Sequence, residues 1–147
     1  MPPSLLAPFL FAALLAIPFP LAAQDDGRVA VPMPDLMRAH MLGNMRDHLL
    51  ALQEIQGVLA AGDYDAAADI AEKRLGMSSL QSHGASHMAG FMPEGMQATG
   101  AAMHQEASRF AVVAQEAAVT RDLSRALGAL SRVTAQCVAC HAAYRLK

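Results

Sequence analysis

The sequence predicts an all-α protein, built as an antiparallel four-helix bundle. Three observations lead there. Apolar residues make up 54% of the 147 residues while aromatics reach only 5% and Trp is absent, so Ala, Leu and Met supply the apolar surface in place of β-branched runs. Apolar positions recur at three and four residues through four separate stretches. A single longer, Gly-broken connection divides those stretches into two pairs, as in a bundle. The formal net charge of −2 excludes a strongly basic nucleic-acid binder and an acidic disordered tail.

Residues 1–23 carry no charged side chain, and Leu5 to Ile17 is wholly apolar. Pro18, Phe19 and Pro20 then lead into Leu21-Ala22-Ala23 and the polar start Gln24-Asp25-Asp26. This is the pattern of a secretory signal cut after Ala23, and its apolar stretch is too short for the roughly 20 residues that span a bilayer. Residues 24–34, with Gly27, Pro32 and Pro34, read as an extended lead-in, and 35–147 as one helical domain.

In the first helix Asp35 is the expected N-cap behind Pro34. Its stripe is Met37, Met41, Met45, Leu49, Leu52, Ile55 and Leu59, and Gly62 closes it. Asp63 caps a second helix from Tyr64 to Leu75, with Ala67, Ile70, Ala71 and Leu75 on one side. Between residues 76 and 93, Gly76, Gly84, Gly90 and Pro93 break any long period. The third helix follows Pro93 to about Val119, with Met96, Met103, Ala107, Phe110 and Ala114 inward. Thr120 is the expected cap of a fourth, along which Leu123, Leu127, Leu130, Val133, Cys137 and His141 repeat. No strand is expected.

The strongest chemical signal is Cys137-Val138-Ala139-Cys140-His141. A Cys-x-x-Cys-His run is the attachment sequence of c-type haem. On a helix, positions i, i+3 and i+4 share one face, so two thiols can reach the porphyrin vinyl groups while the imidazole of His141 turns to the iron as proximal ligand. A disulfide across this spacing would be strained and close a tiny loop. Zinc would need further ligands, and a thioredoxin-type pair expects a βαβ unit. An exposed redox dithiol is the remaining alternative.

These residues also carry a resemblance. Cys137 to Arg145 matches the Cys-x-x-Cys-His-x-x-Tyr-Arg ending of the cytochrome c′ family and its low-spin bacterial relatives. Arg38, Leu42, His48, Leu49, Ala51 and Leu52 fall ungapped on the family's first-helix positions, and Phe91-Met92-Pro93-Glu94-Gly95 looks like its entry to the third helix. The resemblance implies an exported four-helix bundle with covalent haem on the C-terminal helix. It places Leu42 on the distal side of the iron, which leaves a five-coordinate haem open to nitric oxide or carbon monoxide. The first helix is about one turn longer than the family's, and a slip in register puts Met45 or Met41 there instead, giving a six-coordinate haem suited to electron transfer. Ala39 stands where the family often has Gln after the Arg. Arg38 and Arg145 are the candidates to pair with haem propionates.

A second constellation is His83 and His87 among Met77, Met88 and Met92. Two His at i and i+4 on one helical turn could chelate copper or zinc. His40, His48 and His104 read as polar or interfacial side chains. Nothing resembles an acid/base carboxylate pair, a nucleophile triad or a phosphate loop, so no enzyme activity is expected. The first expectation is a periplasmic one-electron carrier with haem c as cofactor and a redox protein of unknown identity as partner; the others are a diatomic-gas binder and, more weakly, a copper-binding protein. Arg121, Arg125, Arg132, Arg145 and Lys147 form a basic run that either complements the helix end or docks an acidic partner. No nucleic acid is expected as partner, and no membrane once the leader is removed; a homodimer is suggested by fold analogy alone.

Overall fold

Two prolines set where the long helices begin. Pro34 and Pro93, with φ of −55° and −56°, immediately precede α1 (Asp35–Ala60) and the longest helix, Glu94–Thr120; a ring-fixed φ suits the entry to a helix. Neither start has a side-chain cap. Asp35 is therefore the first helical residue and not the cap, its carboxylate favourable beside the positive helix end. The computed structural model describes residues 26–147. The leader over 1–23 and the start of the lead-in lie outside the described residues.

After α1, Gly62 takes a left-handed turn at φ +78°, where its missing Cβ avoids strain. Asp63 then caps α2 (Tyr64–Arg74) by accepting from the Ala66 N–H at 3.0 Å. A 3-10 turn at Met77–Ser79 and a short α3 (Ala85–Ala89) occupy the irregular connection. The helix from Glu94 to Thr120 is α4, and α5 is Leu123–Ala143. The cap of α5 is Asp122, accepting from the Arg125 N–H at 2.9 Å, and not Thr120. Thr120 closes α4 and gives its hydroxyl proton to the Glu116 carbonyl. Arg121, left-handed at φ 58°, separates the two helices, and Asp is the stronger capping residue.

Two short strands are the main departure from the sequence expectation. β1 (Val29–Val31) lies in the lead-in and pairs in parallel with β2 (Tyr144–Leu146), with Val29 opposite Tyr144 and Val31 opposite Leu146. Three residues are too few to reveal a period of two. What makes β1 a strand is its partner, reached only through the fold, together with β-branched Val29 and the fully buried Val31.

The architecture is otherwise all helical: α1 packs on α2, α2 on α4, and α4 most extensively on α5. One core cluster is rich in small residues, with Ala51, Ala67, Ala71, Ala107, Ala114, Ala117, Ala126 and Ala129 around Ile55, Leu59 and Phe110. Small side chains let helix backbones approach closely, and this displaces two expected stripes. On α5 the buried positions are Ala126, Ala129, Leu130 and Val133, while Leu123 and Leu127 are exposed. On α1 they are Met41, His48, Ala51, Ile55 and Leu59, while Leu49 is 69% exposed. A second cluster is made of methionines: Met33, Met41, Met88 and Met96 with Val31, flanked by Met37, Met45, Met92, Cys140 and Tyr144. Among the described residues no helix is long and apolar enough to cross a membrane.

Candidate functional site

A cavity of about 450 Å³ opens beside the methionine cluster, within the size range of small-molecule and cofactor sites. From α1 it takes Arg38, Met41, Leu42, Met45 and His48. Spacings of three and four keep these on one side of the helix. The middle connection and α4 contribute His83, Met88, Met92, Met96, Met103 and His104. From the end of α5 and from β2 come Cys140, His141, Tyr144 and Arg145, joined by Arg28 from the residues before β1. The sides are soft and apolar, and the rim is cationic.

Of the residues singled out in the sequence, Cys140, His141, Met41, Leu42, Met45, Arg38, Arg145 and His83 all line this one cavity. Cys137 does not line it. One turn before Cys140, it packs against the alanine-rich core, with its Sγ 3.7 Å from the Val133 carbonyl. Burial pushes both thiols above the ordinary cysteine range. Among the distal candidates Met41 is buried, Met45 half-buried and Leu42 40% exposed.

His83 and His87 part company. Gly84 between them is left-handed at φ +62°, and α3 begins only at Ala85, so the two do not share a helical turn. The His87 ring stands against Phe91. The His83 ring stands instead 4.8 Å from that of His48 and 5.5 Å from that of His104, with His48 and His104 6.0 Å apart (centroid distances). Among the described residues no group of three His, Cys, Asp or Glu side chains, as they stand, is placed to hold a metal ion.

This trio is what sequence reasoning missed, having read His48 and His104 as polar or interfacial. One signal was present: His48 lies seven residues after Met41 and three after Met45, on their face of α1. Its Nε2 is buried and has no hydrogen-bond partner, a condition that costs about 1–3 kcal/mol. Burial first, and then the neighbouring rings of His83 and His104, lower its pKa to about 4. His83 and His104 are shifted down as well, again chiefly by burial. Burial thus favours the uncharged form of all three rings.

The rim is held by the ribbon. Arg28 binds the Asp26 carboxylate at 2.5 Å and reaches the His141 carbonyl at 3.4 Å, and Arg145 lies 3.7 Å from Asp26. Arg38 meets Asp35 at 3.3 Å on the exposed side of α1. Chemically the arrangement can bury an apolar ligand and leave anionic groups of that ligand against the arginines.

Tyr144 fixes the other border. A Cβ added at Gly95 would fall 2.5 Å from its hydroxyl oxygen, so glycine here allows β2 to approach the start of α4. Gly95→Ala is expected to displace the Tyr144 ring and cost about 1 kcal/mol. Adding Tyr144→Phe, which removes the clashing oxygen, should recover most of the loss in thermal melts; an undiminished deficit in the double variant would contradict this.

Comparison of the chain with family profiles, with curated proteins and with solved structures found no match in any of the three.

Proposed function

We propose that this chain is an exported c-type cytochrome, passing single electrons through a haem attached at Cys137 and Cys140 with His141 as proximal ligand. One observation carries the reading: Cys140 and His141, the last members of a Cys-x-x-Cys-His run, line a methionine-walled cavity with arginines at its rim. In this reading the four long helices act as an antiparallel four-helix bundle, in keeping with the resemblance to the cytochrome c′ family. Bound there, haem supplies a one-electron iron couple.

The chain's own residues do the rest. The cysteines stand one turn apart on α5; Cys140 lines the cavity, and Cys137, whose thiol rests against the alanine-rich core, would reach the porphyrin by turning its side chain. Methionines exclude water, which raises the importance of every polar group in the cavity. Arg38 and Arg145 suit the carboxylates of a propionate-bearing ring, and Met41 or Met45 supplies a distal thioether. The alternative of a redox dithiol needs exposed thiols of lowered pKa, whereas burial raises these two. The compartment is the periplasm, reached through the leader over 1–23, and the basic run near the end of the chain suits an acidic redox partner.

One observation favours a second reading, a five-coordinate haem that binds nitric oxide or carbon monoxide: Leu42, which cannot ligate iron, lines the same cavity. Visible and near-infrared spectra of both oxidation states, on protein made with haem-maturation machinery, separate the two. Electron transfer is supported by a sharp low-spin spectrum with a thioether-to-iron band. A high-spin ferric form, whose reduced state shifts on adding carbon monoxide, moves the assignment to gas binding. A colourless protein removes both.

A further inference from the structure

We infer that His48, His83 and His104 form a site for a borderline first-row transition-metal ion, zinc or copper, in the wall of the cavity and separate from the Cys137, Cys140 and His141 triplet. The three come from α1, from the connection before α3 and from α4, so only the tertiary fold assembles them. An ion held at about 2.0–2.1 Å by one nitrogen of each ring would space the ring centroids by roughly 5–6 Å. The observed separations are 4.8, 5.5 and 6.0 Å. The ring centres are therefore spaced as such an ion requires, although the nitrogens do not converge as the rings stand. Binding requires the His48 and His83 rings to turn about their Cβ–Cγ bonds towards His104, which keeps its bond to Leu75.

Hydrogen bonding leaves the right atoms available. His48 Nε2 is buried without a partner, in a side chain 7% exposed. His104 Nδ1 donates to the Leu75 carbonyl at 2.7 Å, which fixes its tautomer and leaves Nε2 with a free lone pair, as in metal-bound histidines. Ser79 gives its hydroxyl proton to the Gly76 carbonyl at 2.7 Å, so its oxygen accepts from His83 Nδ1 at 3.4 Å and His83 Nε2 is likewise free. The backbone of His83 is pinned, its carbonyl accepting from Asn44 at 3.1 Å and from His40 at 2.9 Å. Neutral imidazoles suit zinc and copper. A three-histidine set leaves the fourth position for water or for a cavity methionine, Met45 or Met103.

The inference does not rest on the haem assignment. Its test uses the purified full protein with whatever cofactor it carries, stripped with a chelator and then loaded with zinc(II) alone. X-ray absorption at the zinc edge should show three imidazoles, at one zinc per chain. His83→Ala should weaken zinc binding by on the order of tenfold or more in competition with a chromogenic chelator, while His87→Ala leaves it unchanged. The absorption measurement needs no variant, so it stands even where loss of a buried histidine disturbs folding. A zinc shell without three imidazoles, or His83→Ala binding as the parent does, overturns the site. A coloured protein failing these tests sinks only the zinc site; a colourless one passing them sinks only the haem.

Discussion

If the chain carries haem c as proposed, a protein with both Cys137→Ser and Cys140→Ser is expected to surrender all of its porphyrin to acid acetone, while the parent keeps its colour on the polypeptide. Acid protonates an axial imidazole and breaks its bond to iron, so His141 alone cannot retain the group. Two thioethers survive that treatment. The fold should tolerate the change, because both cysteines are only half-buried and serine is nearly isosteric. Cys140 borders the methionine cluster and the cavity while Cys137 borders the alanine core, so Cys137→Ser alone should keep porphyrin through Cys140. Colour that stays attached in the double variant would mean that these sulfurs are not the anchors.

The second large effect is on acid stability. A histidine whose folded pKa is depressed binds fewer protons folded than unfolded across the interval between the two values. Stability is then full above about pH 6.5 and falls as pH drops towards 4. For His48, moved from 6.5 to about 4 chiefly by burial, the loss reaches roughly 3 kcal/mol at 1.36 kcal/mol per unit. His83 and His104 are shifted in the same direction and add to it. Urea melts in chelator-containing buffer at pH 7.5 and pH 4.5 measure the difference. His48→Gln, which cannot titrate, should flatten the pH profile; an equally steep profile in that variant would place the acid sensitivity elsewhere.

The sequence disclosed much of the fold, for physical reasons that differ by element. Pro34, Asp63 and Pro93 punctuate the chain locally, so α1, α2 and α4 begin where expected. The inward face of α4 was legible because Met96, Met103, Ala107, Phe110 and Ala114 are both apolar and buried. The face of α1 was misread at one place, where Leu49 is apolar yet points outward and His48 is polar yet buried. Hydropathy cannot favour a buried imidazole whose neighbours are themselves imidazoles from distant segments. The ribbon was invisible for a related reason. Val29 to Val31 is no strand by its own pattern and acquires its partner only when β2 arrives. The cavity residues near the C-terminus were found from chemistry, through the spacing of two sulfurs and a ring.

That ribbon has a consequence for the order in which the molecule matures. Arg28 and His141, joined across its edge, are separated by 113 positions, and pairing at such a distance must wait for a large loop to close. A nascent chain can assemble α1, α2 and α4 as they emerge, but the rim can be sealed only once β2 has been synthesised and released. Until then the methionines and the three imidazoles face a doorway with no frame, and any guest destined for the interior has its widest passage during that interval.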